Sequence, residues 1–190
     1  MPPGESTPEK SAPEPLRHVQ RFVNSIDVET GEDELESPAA LGRWLAERDL
    51  LAPKARVSAA DLRRAVDVRE GLRALMLQNN GLELDAGKVE RLDAAAARAG
   101  VRVRFRAGEE PRLEPGSGGV DGALARLLAI AAAAVENGTW RRLKACPRER
   151  CEWAFYDHSK NRSARWCRME ECGNLEKARA FRERRRARTS

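Results

Sequence analysis

The four cysteines of the chain lie in its last quarter, as Cys146-x4-Cys151-x15-Cys167-x4-Cys172, and none precedes them. Two close pairs separated by a short loop have the spacing of a structural metal site. Each pair makes a knuckle, and the loop brings the knuckles together around one ion. Four thiolates in a tetrahedron favour Zn2+ over an iron–sulfur cluster. Two disulfides or four unrelated thiols are the alternatives. Disulfides suit an oxidising compartment, and nothing in the sequence points to secretion. Four thiolates also leave no open position for a reacting water, so the metal is expected to be structural. The only histidines are His18 and His158, and no phosphate-binding loop, dinucleotide fingerprint or His-Glu metal motif occurs. The chain is therefore expected not to be an enzyme.

A four-thiolate zinc centre is doubly negative and costly to bury alone. Arg148 and Arg150 inside the first knuckle, and Arg168 inside the second, offer compensation. The formal net charge of +5 is also uneven. Residues 141–190 carry 16 Lys+Arg against 7 Asp+Glu, a local +9, which leaves −4 for the rest. Such a module suits a polyanion, most simply DNA. The candidate contacts are Lys160, Arg162 and Arg165 in the polar loop 159–165, and Lys177, Arg179, Arg182, Arg185 and Arg186 in a C-terminal helix. Arg179, Arg182 and Arg186 recur at helical spacing and share a face. One arginine face can enter a groove or follow a row of phosphates. A solvated basic tail that aids solubility is the plainer alternative.

Within the module, Trp153, Phe155, Tyr156 and Trp166 are expected to pack round the metal, because so small a unit needs bulky side chains. Base stacking is the other use for them. His158 is expected at the surface, making a hydrogen bond. Asn174 is placed to cap a helix from Leu175 to Arg188, whose positive end would face Cys172. Leu175, Ala178 and Phe181 would dock that helix on the module.

The elements upstream must hold this module in place. Residues 1–15, rich in Pro, Glu and Ser, are expected to be a disordered tail. Leu16, Val19, Phe22, Val23 and Ile26 then recur with helical period. Asp27 to Glu36 is an acidic loop, expected to be solvated. Ser37-Pro38 opens a second helix that presents Leu41, Trp44 and Leu45. Ser58 and Asp61 resemble a capping box for a long helix carrying Leu62, Val66, Arg69, Leu72 and Leu75-Met76, which ends at Asn79-Asn80-Gly81. Another helix spans Asp85 to Ala99. Val101 to Phe105 alternates as a half-buried strand, with Arg112 to Glu114 as its partner. Gly116 to Gly119 is a flexible joint. A last core helix runs from Asp121 to Asn137, with Gly138 as its cap. The short connection from Trp140 to Cys146 should hold the module against the helices. Asn24 and Asp27 suit capping or core hydrogen bonds better than a ligand pocket.

The expected fold is thus mainly α with a small β-hairpin near 101–114. A helical domain over 16–138 precedes a small four-cysteine module over 139–190 that ends in a basic helix. The longest apolar stretch, Leu127 to Val135, is far too short to span a membrane. The N-terminus lacks the basic and apolar regions of a signal peptide. A reducing, cytoplasmic and nucleoid-associated location is the expectation.

The segment Cys146-Pro147, Cys151, Trp153-Ala-Phe-Tyr-Asp157, Asn161-Arg-Ser163, Arg165-Trp-Cys167 and Cys172-Gly-Asn174 closely resembles the CGNR zinc-finger family over about residues 140–182. One position departs: Leu175 stands where the family has arginine, and Lys177 or Arg179 is near enough to substitute. Upstream, Phe22-Val-Asn-Ser-Ile-Asp27 and Ser37-Pro38-Ala39 with Trp44-Leu45 are similar to the ABATE domain that usually precedes this finger. The family is described as stress-induced transcription regulators. The resemblance implies a zinc finger binding DNA, with the N-terminal domain sensing a small-molecule ligand or forming a homodimer. An RNA-binding protein using the same basic surface is one alternative. A zinc-stabilised module for protein interaction or thiol redox sensing is another.

Overall fold

The computed structural model describes residues 10–187 of the 190-residue chain. The helices are α1 (Leu16–Val23), α2 (Pro38–Ala46), α3 (Ala59–Asn79), α4 (Ala86–Ala99), α5 (Gly119–Glu136) and α6 (Asn174–Ala187). Two antiparallel hairpins accompany them: β1 (Val101–Arg104) with β2 (Arg112–Pro115), and β3 (Leu143–Ala145) with β4 (Ala154–Tyr156).

The helix starts follow local chemistry. Ser37 Oγ accepts from Ala40 N–H at 3.1 Å at the head of α2. Ser58 and Asp61 form a reciprocal capping box on α3, each side chain accepting from the other's backbone N–H. Asp85 caps α4 through Lys88 N–H at 3.0 Å. Each cap satisfies a donor that the first turn would otherwise leave unpaired.

The long α3 runs through the middle and touches α1, α2, α4, α5 and β3. Its buried face is Ala65, Val68, Leu72 and Met76, with Arg69 and Arg73 among them. Val66 is only half-buried, so the face is rotated from the expected one. Gly71 allows α4 to cross closely. A Cβ there would overlap Leu92 Cβ and lie 3.0 Å from the Lys88 carbonyl oxygen.

Two expectations change. Residues 10–12 are packed, not disordered: Ala12 is buried, and its N–H donates to Gln20 Oε1 at 2.7 Å, while residues 13–15 are exposed. The rest of the expected tail, residues 1–9, lies outside the described residues. The β1–β2 hairpin forms in the expected place but is not half-buried. Every residue of β1 is exposed, and Phe105 just beyond it is 77 % exposed. Alternation fixes the two faces of a strand, but burial of either face depends on what the fold brings against it.

Candidate metal centre and basic surface

β3 delivers Cys146 directly, and β4 starts shortly after Cys151. The first knuckle closes where Cys146 N–H donates to the Trp153 carbonyl at 3.0 Å and Cys151 N–H donates to the Arg148 carbonyl at 2.8 Å. Glu152 adopts a left-handed φ of 46° as the chain leaves it. In the second knuckle, Cys172 sits in a π-helical turn, Met169–Gly173. Gly173 N–H reaches back to the Arg168 carbonyl at 3.2 Å. A π turn is one residue wider than an α turn. It gives the four-residue spacing room to return Cys172 to the centre that Cys167 faces.

All four sulfurs lie within 4.8 Å of one another. Cys151 and Cys167 Sγ are 3.5 Å apart, and Cys167 and Cys172 Sγ are 3.6 Å apart. A tetrahedral ion with bonds of about 2.3 Å to sulfur needs edges of about 3.8 Å. The donor set fits such an ion, and its spacing is far too wide for a disulfide. Phe155 is buried with the cysteines, and Trp153 and Trp166 pack against them. Three of the four expected aromatics therefore pack round the cysteines, whereas Tyr156 belongs to the main core.

Hydrogen bonds from Cys151 and Cys167 push the Cys146 thiol down to about 2, against the effect of burial. Those same contacts with Cys146 head the causes that push Cys151 and Cys167 up. One thiolate thus forms readily, and a bound cation would stabilise Cys151 and Cys167 as thiolates as well. Arg148 supplies part of the compensation. Its Nη1 lies 3.6 Å from Cys172 Sγ, and its guanidinium pairs with Glu29 of the acidic loop. The bond to Glu29, then that to Cys172, raises its pKa. Arg168 instead pairs with Glu171 at 2.8 Å, and Arg150 is exposed.

The basic loop is built round a buried ion pair. Lys144 Nζ donates to Asp157 Oδ2 at 2.7 Å, and to the carbonyls of Arg162 and Ala164 at 2.6 and 3.0 Å. Asp157 also accepts from Ser159 N–H, Ser159 Oγ and Ala164 N–H. The loop therefore has a fixed path, with Lys160, Arg162 and Arg165 exposed on its outside. His158 is exposed, and its Nε2 lies 2.9 Å from the Ser11 carbonyl oxygen.

Side-chain amides of the helical domain grip the module's backbone. Asn24 donates to the Ala154 carbonyl at 2.9 Å and accepts from Ala154 N–H at 2.7 Å. Gln20 donates to the same carbonyl. At the far end of α3, Asn79 donates to the carbonyls of Trp140 and Leu143, and Asn80 to those of Ala145 and Arg165. Arg73, fully buried, donates to the carbonyls of Val23 at 2.7 Å and Glu152 at 2.8 Å. Arg69 holds Asp33 through both carboxylate oxygens, so part of the acidic loop is tied down rather than solvated. Leu143, Ala145, Ala154 and Tyr156 belong to the main hydrophobic core. The sequence offered two signals for this network: Arg69 falls on the apolar face of its helix, and Asn24 suits a core hydrogen bond.

α6 differs from its expected form. Asn174 is itself helical and donates to the Glu170 carbonyl at 3.1 Å, because the helix continues from the π turn. Leu175 and Phe181 are 52 % and 55 % exposed, so no apolar stripe docks on the module. Lys177, Arg179, Arg182, Arg185 and Arg186 are exposed, and Arg179 pairs with Glu183 at 3.1 Å. The candidate cations thus fall into two groups, one on the fixed loop and one on the projecting helix. The expected helix end at Arg188 lies outside the described residues. No helix among those residues is long and apolar enough to cross a membrane.

Two family models match, in chain order. The one described as "Putative stress-induced transcription regulator" (ABATE) matches residues 16–138. The CGNR zinc finger matches residues 142–185. No curated protein matches the chain.

Proposed function

Because the chain belongs to the ABATE family and carries a CGNR zinc finger behind that domain, we propose that it is a DNA-binding transcription regulator. Cys146, Cys151, Cys167 and Cys172 hold one Zn2+, which supplies a structural cross-link to the finger. With four thiolate ligands the ion has no position for a reacting water, and the protein acts by binding rather than catalysis. The observation that carries the reading is the exposed α6, which leaves the metal module carrying Lys177, Arg179 and Arg182 on a surface free of packing duties. A helix of this length spans about 20 Å and is narrow enough for a major groove about 12 Å wide. The fixed loop adds Lys160, Arg162 and Arg165 as phosphate contacts.

The helical domain is the regulatory half, sensing a small molecule or mediating homodimerisation. A groove of 700 Å³ beside α2, lined by Pro38, Ala39, Gly42, Ala55 and Val57, is space for an apolar ligand. In this reading the protein works in the cytoplasm, at the nucleoid.

The test is selection from random duplex DNA by zinc-loaded protein at two salt concentrations, with structured RNA as competitor. An enriched motif, lost in Cys172→Ser, supports the reading. Affinity should fall steeply with salt, as phosphate contacts require. Binding that salt leaves unchanged, preference for RNA, or no binding would overturn it.

A further inference from the structure

The second knuckle borders a groove that the duplex-reading helix does not use. It encloses 780 Å³ beside residues 163–170. Trp166, half-buried, and Met169, 40 % exposed, provide aromatic and thioether surface. Lys10, Arg165 and Arg168 place three cations on it, and Ser163 adds an exposed hydroxyl. Glu170 is the one acidic side chain that lines it without being locked in place, as Asp157 is by Lys144.

Charge pairing differs between the helical core and this groove. Most arginines of the helical core are matched to carboxylates, as Arg64, Arg69 and Arg73 are. Among the described residues no carboxylate pairs with Lys10 or Arg165. Lys10 is nevertheless placed precisely. Its Nζ sits 5.1 Å from the Phe155 ring centroid, its carbonyl accepts from Gln20, and the neighbouring Ser11 carbonyl meets His158. Arg165 is fixed through its backbone by Asn80. Two cations that meet no carboxylate among the described residues, beside aromatic surface, recognise a ligand with a negative charge and a flat apolar part.

We propose that this groove binds an unpaired nucleotide of a nucleic-acid strand. The base lies against Trp166 and Met169, and the phosphates lie among Lys10, Arg165 and Arg168. Its size is in the range of small-ligand sites, about 300–1,000 Å³, and a paired base inside a duplex cannot present its face to a side chain. The inference rests on the nucleic-acid reading above and deepens it. The protein would bind a duplex through α6 and the loop, and would favour one with a single-stranded end or opened base beside it. Lys10 belongs only to the second contact, since it comes from the N-terminal strap rather than from the loop or α6.

The test uses full-length metal-loaded protein and two labelled probes, a blunt duplex and the same duplex with a short unpaired overhang. One stacked base should raise affinity for the overhang probe by about tenfold. Lys10→Gln should remove most of that gain while blunt-duplex affinity changes less than about twofold. Arg165→Gln should weaken both probes, because it serves both contacts. Metal content of each variant confirms an intact finger. No gain from the overhang, a gain that survives Lys10→Gln, or an equal loss on both probes in Lys10→Gln would overturn the proposal. Failure to bind either probe would sink the nucleic-acid reading as well, so the two failures are distinguishable.

Discussion

Lys144 and Asp157 meet at 2.7 Å in the interior, 5 % and 0 % exposed, and between them they fix the basic loop. All three Lys144 protons have acceptors, one a carboxylate and two loop carbonyls. Such a pair is costly to break from one side, because the other charge is left buried. Lys144→Met should therefore lower stability by about 3–5 kcal/mol. Denaturant unfolding measures the loss, and an unchanged midpoint would contradict the role given to the pair.

The same pair sets an acid limit. Burial pushes the Asp157 carboxyl up, but hydrogen bonds from Lys144 and Ser159 outweigh it and hold the pKa below the ordinary value. A carboxyl depressed on folding contributes fully above its unfolded pKa of about 3.9, and loses that contribution as pH falls through the lower folded value. Asp157→Asn should flatten the stability profile in that window. Comparing urea midpoints of metal-loaded wild type and variant from pH 5 to 2, with bound metal measured at each pH, separates this from acid release of the metal.

Chelation should reach beyond the finger. β3 and β4 supply part of the main core, and Asn79 and Asn80 spend their amides on the module's backbone. Metal binding free energy is folding free energy for such a module. Removing the ion should accelerate amide exchange in the last turn of α3 as well as in residues 143–172. Exchange confined to the finger would show that the two parts unfold separately.

Arg148→Ala removes the guanidinium beside Cys172 and its tie to Glu29. Groups that support metal ligands are typically worth about 10–100-fold in affinity. Competition with a chromophoric chelator should show weaker binding by about tenfold at the lower end of that range. Arg150→Ala, at an exposed position, should change little.

Gly71→Ala should destabilise despite alanine's better helix propensity. The new methyl overlaps Leu92 Cβ across the α3–α4 contact. Overpacking costs about 1–3 kcal/mol, against a propensity gain of about 0.5–1 kcal/mol. Thermal melting should show a drop of a few degrees, and a rise would mean the two helices can move apart.

The four-cysteine cluster was legible because ligand chemistry is written in residue type and spacing. Four cysteines in two close pairs constrain the chain whatever surrounds them. Helix starts at Ser37, Ser58 and Asp85 were legible for the same local reason: a cap acts within three residues of itself. The basic balance of residues 141–190 is equally a property of composition.

Other features depended on partners distant in sequence. Arg73 reads as an ordinary helix residue, yet the Glu152 carbonyl, 79 positions on, makes it a buried bridge. Asn80 looks like a helix stop, and it is also the clasp of a loop 85 residues away. Residues 10–12 have the composition of a tail and are packed because Gln20 accepts from Ala12 N–H and His158 donates to the Ser11 carbonyl. β1 and α6 carry amphipathic patterns that predicted burial, and tertiary structure left both exposed. The sequence by itself determined the donor set, the helix caps and the sign of the surface, since these act over one turn or depend on composition. Only the tertiary structure decided which polar side chains join the two parts and which of the described cations meet carboxylates, since burial and pairing are relations between segments that the chain order does not contain.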